Sequence, residues 1–386
     1  MTKVLRWDIF CTVIDNFGDV GVSWRLARQL VQEHRQTVRL WIDDLDCFKL
    51  MAPAVNPDLP CQVIQEVQIC RWSRNQNDTD AFAAVEPAQV IIEAFACTLP
   101  ENYVISLSRM ARQPVWIDLE YLSAESWVTH YHALPSPHPR FALIKTCYFP
   151  GFVAGTGGLL REKDLQGRRL AFDQRVEQDF LRHQGIFERK PNQIRISLFC
   201  YESAPIESLI EVLSHSAYPV LLIVPSGRVA EKIAFLLGSV CDGERFVVES
   251  GTLTIQIIPF LEQDNYDRLL WSCDINFARG EDSFARAQWA GKPFIWNIYP
   301  QSDGAHWNKL EAFLDLYVES MPVSTAKTVI ELWRAWNGGI PLDSATWVNF
   351  LDLQKSLAQH NESWIAQLLQ RQDLTSGLVQ FVENQL

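Results

Sequence analysis

Apolar residues along this chain change their spacing in a repeating order. "VLRWDIFCTVI", from Val4, is a nearly continuous apolar run and predicts a strand buried on both faces. "VGVSWRLARQLVQEH" follows with the apolar period of a helix packed on one side. "TVRLWIDD" returns to strand spacing and "LDCFKLMA" to helical spacing. "CQVIQEV", "AQVIIEAFA" and "PVWIDLEYL" each predict a strand, with helix "ENYVISLSRMAR" between the last two. Strands alternating with helices imply βαβ units and a mainly parallel sheet.

The pattern lapses between about residue 133 and residue 163, where "ALPSPHPR" and "GFVAGTGGLL" bring the proline and glycine of loops. "RRLAFDQRVEQDFLRHQGI" then predicts a polar connecting helix. A second α/β set follows. Its predicted strands are "IRISLFCY", "PVLLIVPSG", "LTIQIIPFL", "CDINFARG" and the short "KPFIWNIYP". Its predicted helices are "APIESLIEVLSHS", "AEKIAFLLGSV" and "SFARAQWAG". From "HWNKLEAFLDLY" onward the chain reads as largely helical. The expected division is residues 1–184, residues 185–365, and a helical segment 366–386 that packs back on the first domain. Two α/β halves fit a two-lobed enzyme with its cleft between the lobes. Ligands in such sheets bind beyond the carboxyl ends of the strands, at switch points.

Composition narrows the function classes. A chain of 386 residues exceeds one ordinary domain, and 48% apolar with 21% charged residues is a globular composition. A net charge of -12 argues against nucleic-acid binding, which needs a basic face. No secretory signal is read at the N-terminus, and no run of about 18 uncharged apolar residues is present to span a membrane. Nine cysteines are scattered without a C-x-x-C pair, so reduced thiols in a cytoplasmic protein are the expectation.

Candidate chemistry gathers at two turns. In "DNFGDVG", from Asp15, Gly18 and Gly21 suit a backbone that approaches a phosphate, whereas Asp15 and Asp19 would repel one. The plain alternative is that Asp19 caps a helix starting at Val20 and Asp15 closes an Asx turn. The fingerprint G-x-G-x-x-G is absent, which speaks against an NAD-dependent oxidoreductase. In "ARGEDSFARAQWAG", from Ala278, a helix starts near Asp282 or Ser283. Its unpaired N–H groups, the Arg279 charge and the Ser283 hydroxyl suit a phosphate. Glu281 and Asp282 suit sugar or ribose hydroxyls or, in the plain alternative, a helix cap. Tyr201 and Phe260 end predicted strands, where two rings can hold a nucleobase or simply pack in a core.

"DNFGDVGVSWRLAR" and "RGEDSFARAQWAGKPFIWNIYPQ" resemble the protein-arginine rhamnosyltransferases that modify elongation factor P. "EAFACTLPE", "LEYLSAESW", "LPSP" and "GGLLRE" are similar to that family too, so the resemblance spans nearly the whole chain. It implies a GT-B glycosyltransferase fold, with two facing Rossmann-like domains and an interdomain cleft. It also implies an inverting, metal-independent transfer of rhamnose from dTDP-β-L-rhamnose to one arginine of elongation factor P. By the same resemblance Asp19 is the catalytic base and Asp15 the second acid of its turn; a cationic guanidinium acceptor would then be oriented by Asp15 or Glu281. The resemblance also implies that Arg279, Glu281, Asp282 and Ser283 hold the donor nucleotide and diphosphate and that Tyr201 and Phe260 stack on thymine; Gly18 and Gly21, read from their turn, are expected on the donor side. No metal, no cofactor, no nucleic acid and no membrane partner are expected. The rival readings are a GT-B enzyme with a hydroxyl acceptor and a non-catalytic nucleotide-binding α/β protein.

Overall fold

The structure is a computed structural model that describes residues 3–15, 17–73, 82, 85–95, 97–239 and 246–386. The chain divides into two units, Met1–Lys163 with Gln370–Leu386, and Asp164–Leu369. The first boundary therefore lies before the helix Gln174–Gln184, not after it. Phe180 and Leu181 of that helix explain why: they join Leu221, Ile223, Ile258 and Leu269 in one apolar cluster of the second unit.

In the first unit the strands are β1 (Arg6–Cys11), β2 (Thr37–Ile42), β3 (Cys61–Ile64), β4 (Val67–Arg71), β5 (Val90–Ala94), β6 (Val115–Leu119), β7 (Pro135–Pro137) and β8 (Ile144–Tyr148). They form one sheet in the order β3-β4-β2-β1-β5-β6-β8-β7. The six inner strands are parallel, and β3 and β7 are antiparallel edges. The central parallel strands β1, β5 and β6 are apolar runs of the sequence, as burial on both faces requires, whereas β8 is only partly buried. On one side Phe10, Trp41, Trp72, Tyr103 and Trp116 build an aromatic core. The chain leaves β1 toward β2 on one side and later places β5 on the other, so a topological switch point lies between β1 and β5.

The "GGLLRE" stretch fastens this unit. Glu162 accepts two hydrogen bonds from the buried Arg25 guanidinium, at 2.7 and 2.8 Å. The helix Leu374–Gln385 returns here: Thr375 Oγ1 donates to Gln29 Oε1 at 2.6 Å, and Leu374 N–H donates to Leu159 O at 2.9 Å.

The second unit has β9 (Ile194–Leu198), β10 (Val220–Pro225), β11 (Phe246–Ser250), β12 (Leu253–Ile258), β13 (Ile275–Arg279) and β14 (Phe294–Asn297). Their order is β11-β12-β10-β9-β13-β14, with β11 the antiparallel edge. Its switch point falls between β9 and β13. The helices after β14 carry much of the chain's tryptophan: Trp333, Trp336 and Trp347 are buried, and Phe277 of β13 packs on Trp336 at 4.6 Å between ring centroids.

Several local expectations needed correction. "CQVIQEV" is a hairpin rather than one strand, because Gln65 and Glu66 take φ 49° and 64° and turn the chain back. Pairing in that hairpin sets Cys61 opposite Cys70, and a disulfide joins them, so these thiols are not reduced. The stretch 133–163, expected as loop, contains β7 in its proline-rich part and β8 just after it. The connecting helix is two, Leu165–Leu170 and Gln174–Gln184. Strand β11 and helix Gln263–Ser272 were not anticipated. The helix expected over "AEKIAFLLGSV" is Arg228–Leu236, and the expected end at Val240 lies outside the described residues. Among the described residues no helix is long and apolar enough to cross a membrane.

Candidate active site

In the first unit the turn Asp15–Asp19 stands at the carboxyl end of β1, beside the switch point. The helix that follows is Phe17–Gln32, so it starts before the expected Val20 and takes Asp19 into its first turn. Asp19 is therefore not the cap residue ahead of the helix. Its carboxylate reaches back instead to N–H groups that precede the helix. Oδ2 accepts the N–H of Ile14 and that of Asp15, each at 2.9 Å. The Tyr121 hydroxyl also donates to this carboxylate.

Burial raises the Asp19 pKa above the ordinary carboxyl value, and the nearby charge of Asp43 pushes the same way. The two backbone N–H groups and the Tyr121 hydroxyl oppose them only in part. Asp43 itself accepts the Val13 N–H at 2.8 Å, which ties the end of β2 to the strand-to-turn exit. Asp15 is buried, and the Gly18 N–H donates to its carbonyl at 2.7 Å. A side chain at Gly18 would meet Asp15 Oδ2 at 2.7 Å, so this glycine makes room for a carboxylate. Gly21 is buried one turn further along the same helix.

In the second unit β13 ends at Arg279 and the helix Asp282–Ala290 begins after Gly280, whose φ of 60° makes the sharp turn possible. Gly280 is pinned to β14: its N–H donates to Asn297 O at 3.2 Å, and its carbonyl accepts from Trp296 Nε1 at 2.8 Å. The Ser283 hydroxyl closes the turn, accepting the Arg279 N–H at 2.9 Å and donating to the Arg279 carbonyl. Glu281 holds the N-cap position without a side-chain cap bond. Asp282 points inward. Its Oδ2 accepts from Gln263 Nε2 at 2.8 Å and from Arg286 Nε at 3.0 Å, and Arg286 also pairs with Asp267 at 2.8 Å. The expectation that the Asp282 side chain meets sugar or ribose hydroxyls has to contend with this buried ion network.

The Arg279 guanidinium is held as well. It lies 4.5 Å from the Phe199 ring centroid and 4.8 Å from that of Tyr201, and donates to Cys200 O at 3.2 Å. Phe199 touches Phe260 edge-on at 6.1 Å, and Tyr201 touches Tyr299 edge-on at 5.6 Å. Tyr201 and Phe260 therefore belong to one aromatic group at the carboxyl ends of β9 and β12, with Phe199 and Arg279 in the chain of contacts between them. Sequence reasoning passed over Phe199 and Tyr299. The two-residue spacing of Phe199 from Tyr201 was the available signal, since alternate residues leaving a strand share a side. It also passed over Tyr121 and Asp43, which no local spacing links to Asp19. Among the described residues no group of three His, Cys, Asp or Glu side chains is placed to hold a metal ion.

Comparison with known proteins agrees with this architecture. A family profile described as Elongation-Factor P (EF-P) rhamnosyltransferase EarP matches residues 7–383. The chain is 44% identical over 382 residues to a protein-arginine rhamnosyltransferase of Pseudomonas putida, covering 98% of this chain and 99% of that one. It is 43% identical to the protein of the same description from Pseudomonas aeruginosa, covering 97% and 98%. A solved structure described as the structural basis for EarP-mediated arginine glycosylation of translation elongation factor EF-P superposes with a TM-score of 0.70 at 33% identity, covering 99% of this chain and 100% of that one. Acinetobacter baumannii MurG, at 13% identity and a TM-score of 0.50, shares the fold.

Proposed function

This chain belongs to the EarP family of EF-P rhamnosyltransferases and has the GT-B fold of two Rossmann-like α/β units, and from that premise we propose the full reaction. L-Rhamnose passes from dTDP-β-L-rhamnose, with inversion, to the guanidinium of one arginine of elongation factor P. The acceptor is a translation factor, so the work is done in the cytoplasm. The observation that carries this reading is Asp19: a buried carboxylate at a switch point, satisfied by neutral donors and with raised proton affinity.

A guanidinium has a pKa above about 12 and delocalised lone pairs, so it is a poor nucleophile. Removing its proton before attack is steep. In this mechanism the proton leaves as the C–N bond forms, when the attacking nitrogen has grown acidic, and Asp19 accepts it. Burial suits Asp19 to that task, because it makes the carboxylate a better base than a solvated one. Asp15 or Glu281 holds the guanidinium in place through charge-assisted hydrogen bonds.

The departing group is a nucleoside diphosphate. Its growing charge meets the N-terminal end of the helix Asp282–Ala290 and Arg279, which take the part a divalent cation plays elsewhere. Stacking of Arg279 on two rings fixes its guanidinium before the donor arrives, which lowers the ordering cost of binding. Tyr201 and Phe260 supply aromatic faces for thymine, each stack contributing about 1–3 kcal/mol. Asp282 serves through its helix position while its carboxylate neutralises Arg286.

The test is direct. The chain is incubated with dTDP-rhamnose and elongation factor P, and the acceptor is examined by mass spectrometry. The expected result is one added deoxyhexose located on one arginine. An unmodified acceptor, or a sugar on a hydroxyl, would overturn the reading.

A further inference from the structure

The stretches "EAFACTLPE" and "LEYLSAESW" carry part of the family resemblance, yet the reaction above uses almost nothing in them. Both follow strands beside the Asp19 turn. β5 ends at Ala94 and is paired directly with β1, and β6 ends at Leu119 and is paired with β5. Phe95, the first residue past β5, has φ 58°. Bulky side chains seldom adopt that left-handed region, and they stay there only where the surroundings over-determine it.

Here they do. The Phe95 N–H donates to Leu119 O at 2.8 Å. Just before it, the Glu93 carboxylate is held by Lys145 at 3.2 Å, and the same ammonium bridges to Asp118 at 2.6 Å. Just after it, the Cys97 N–H donates to Ala94 O at 3.2 Å. The buried Phe95 ring then lies on Tyr121, with centroids 5.0 Å apart and planes tilted by 31°. Tyr121 carries the hydroxyl that donates to Asp19.

We propose that Phe95 and Tyr121 are positioning residues for Asp19: the constrained Phe95 backbone fixes its ring, the ring fixes Tyr121, and the Tyr121 hydroxyl aims the carboxylate at the acceptor's proton. This rests on the assignment of Asp19 as base. Two backbone N–H groups on one oxygen leave a carboxylate free to pivot, and a donor from another element removes that freedom. The hydroxyl also favours the ionised carboxylate. Among the described residues, the charged and titratable groups that face Asp19 include Cys11 on β1, Asp15 in its own turn, Asp43 after β2 and Tyr121 after β6.

Tyr121→Phe removes the hydroxyl and keeps the ring. The expected result is a kcat about 10- to 100-fold lower, the cost of a misplaced catalytic group. KM for dTDP-rhamnose is expected to stay within about two-fold and the thermal midpoint within a few degrees, since ring and packing remain. The acid limb of the kcat profile is expected about one pH unit higher, because a hydrogen bond to the charged form is lost. Phe95→Asn keeps a residue type that tolerates φ above zero while removing the ring, and its expected kcat loss is smaller and in the same direction. Wild-type kcat in Tyr121→Phe overturns the proposal. So does a loss of kcat with an unmoved acid limb, which is how a merely structural hydroxyl would act. Asp19→Asn is measured alongside. If it retains turnover, the base assignment falls and the positioning role with it. If it is inactive while Tyr121→Phe is unaffected, the positioning role falls alone.

Discussion

Asp19 and Asp282 occupy matching places in their units. Each stands in the first turn of the helix that follows a strand at a sheet's switch point, and both are buried, 2% and 5% exposed. Their surroundings differ. Asp282 faces the Arg286 guanidinium and the Gln263 amide, so a cation offsets its charge. Asp19 faces two backbone N–H groups, a tyrosine hydroxyl and the like charge of Asp43. A buried acid beside a cation belongs to the scaffold. One satisfied by neutral donors alone keeps its appetite for a proton and is available for chemistry.

The comparison breaks most readily on Asp19→Asn. Its kcat is expected to fall by about 10²- to 10⁴-fold, the usual worth of a positioned base, while calorimetry with dTDP shows donor affinity unchanged. The stability of this variant is expected to equal or exceed that of wild type. Burial raises the Asp19 pKa in the folded chain, so the fold favours the protonated form. The resulting stabilisation is present at low pH and is lost as pH rises through the folded value. Near neutrality the charged Asp19 therefore costs stability, and asparagine, neutral throughout, removes that cost.

Arg286→Met should act in the opposite way. It leaves Asp282 and Asp267 without the buried guanidinium that pairs them, and about 3–5 kcal/mol of stability is expected to go, measured by denaturant unfolding. If Asp19→Asn loses as much, the two acids are alike and the distinction fails. Smaller effects sharpen the donor side. Arg279→Ala is expected to weaken dTDP binding by about 10-fold, the loss of one charge-assisted contact. An unchanged dissociation constant would remove it from the diphosphate site. Ser283→Ala loses the hydroxyl that closes the turn, and about a five-fold weakening is expected.

Much of the fold was legible because parallel strands must be apolar and their helices amphipathic; β1, β2, β5, β6, β9, β10, β12 and β13 all announce themselves so. The hairpin of β3 and β4 did not, because its turn is made by Gln65 and Glu66 rather than by the Asn-Gly that such backbone angles favour. The candidate turns were legible as turns. The inward commitment of Asp282 was hinted at by Arg286 four residues on, a spacing that brings side chains together on a helix. The partnership of Asp19 with Tyr121 was not, since it depends on β5 and β6 lying in order beside β1, a property of the sheet rather than of any local run.

With Asp19 as the base, ionisation of its carboxyl switches transfer on. Single-turnover rhamnosylation of elongation factor P, followed against pH with saturating dTDP-rhamnose, tests it. In the wild-type protein the rate is expected to fall on the acid side with an apparent pKa above the ordinary aspartate value, in line with the raised Asp19 carboxyl. In Asp19→Asn that acid limb is expected to vanish from whatever activity remains. The same limb, at the same pH, in both proteins would contradict the claim.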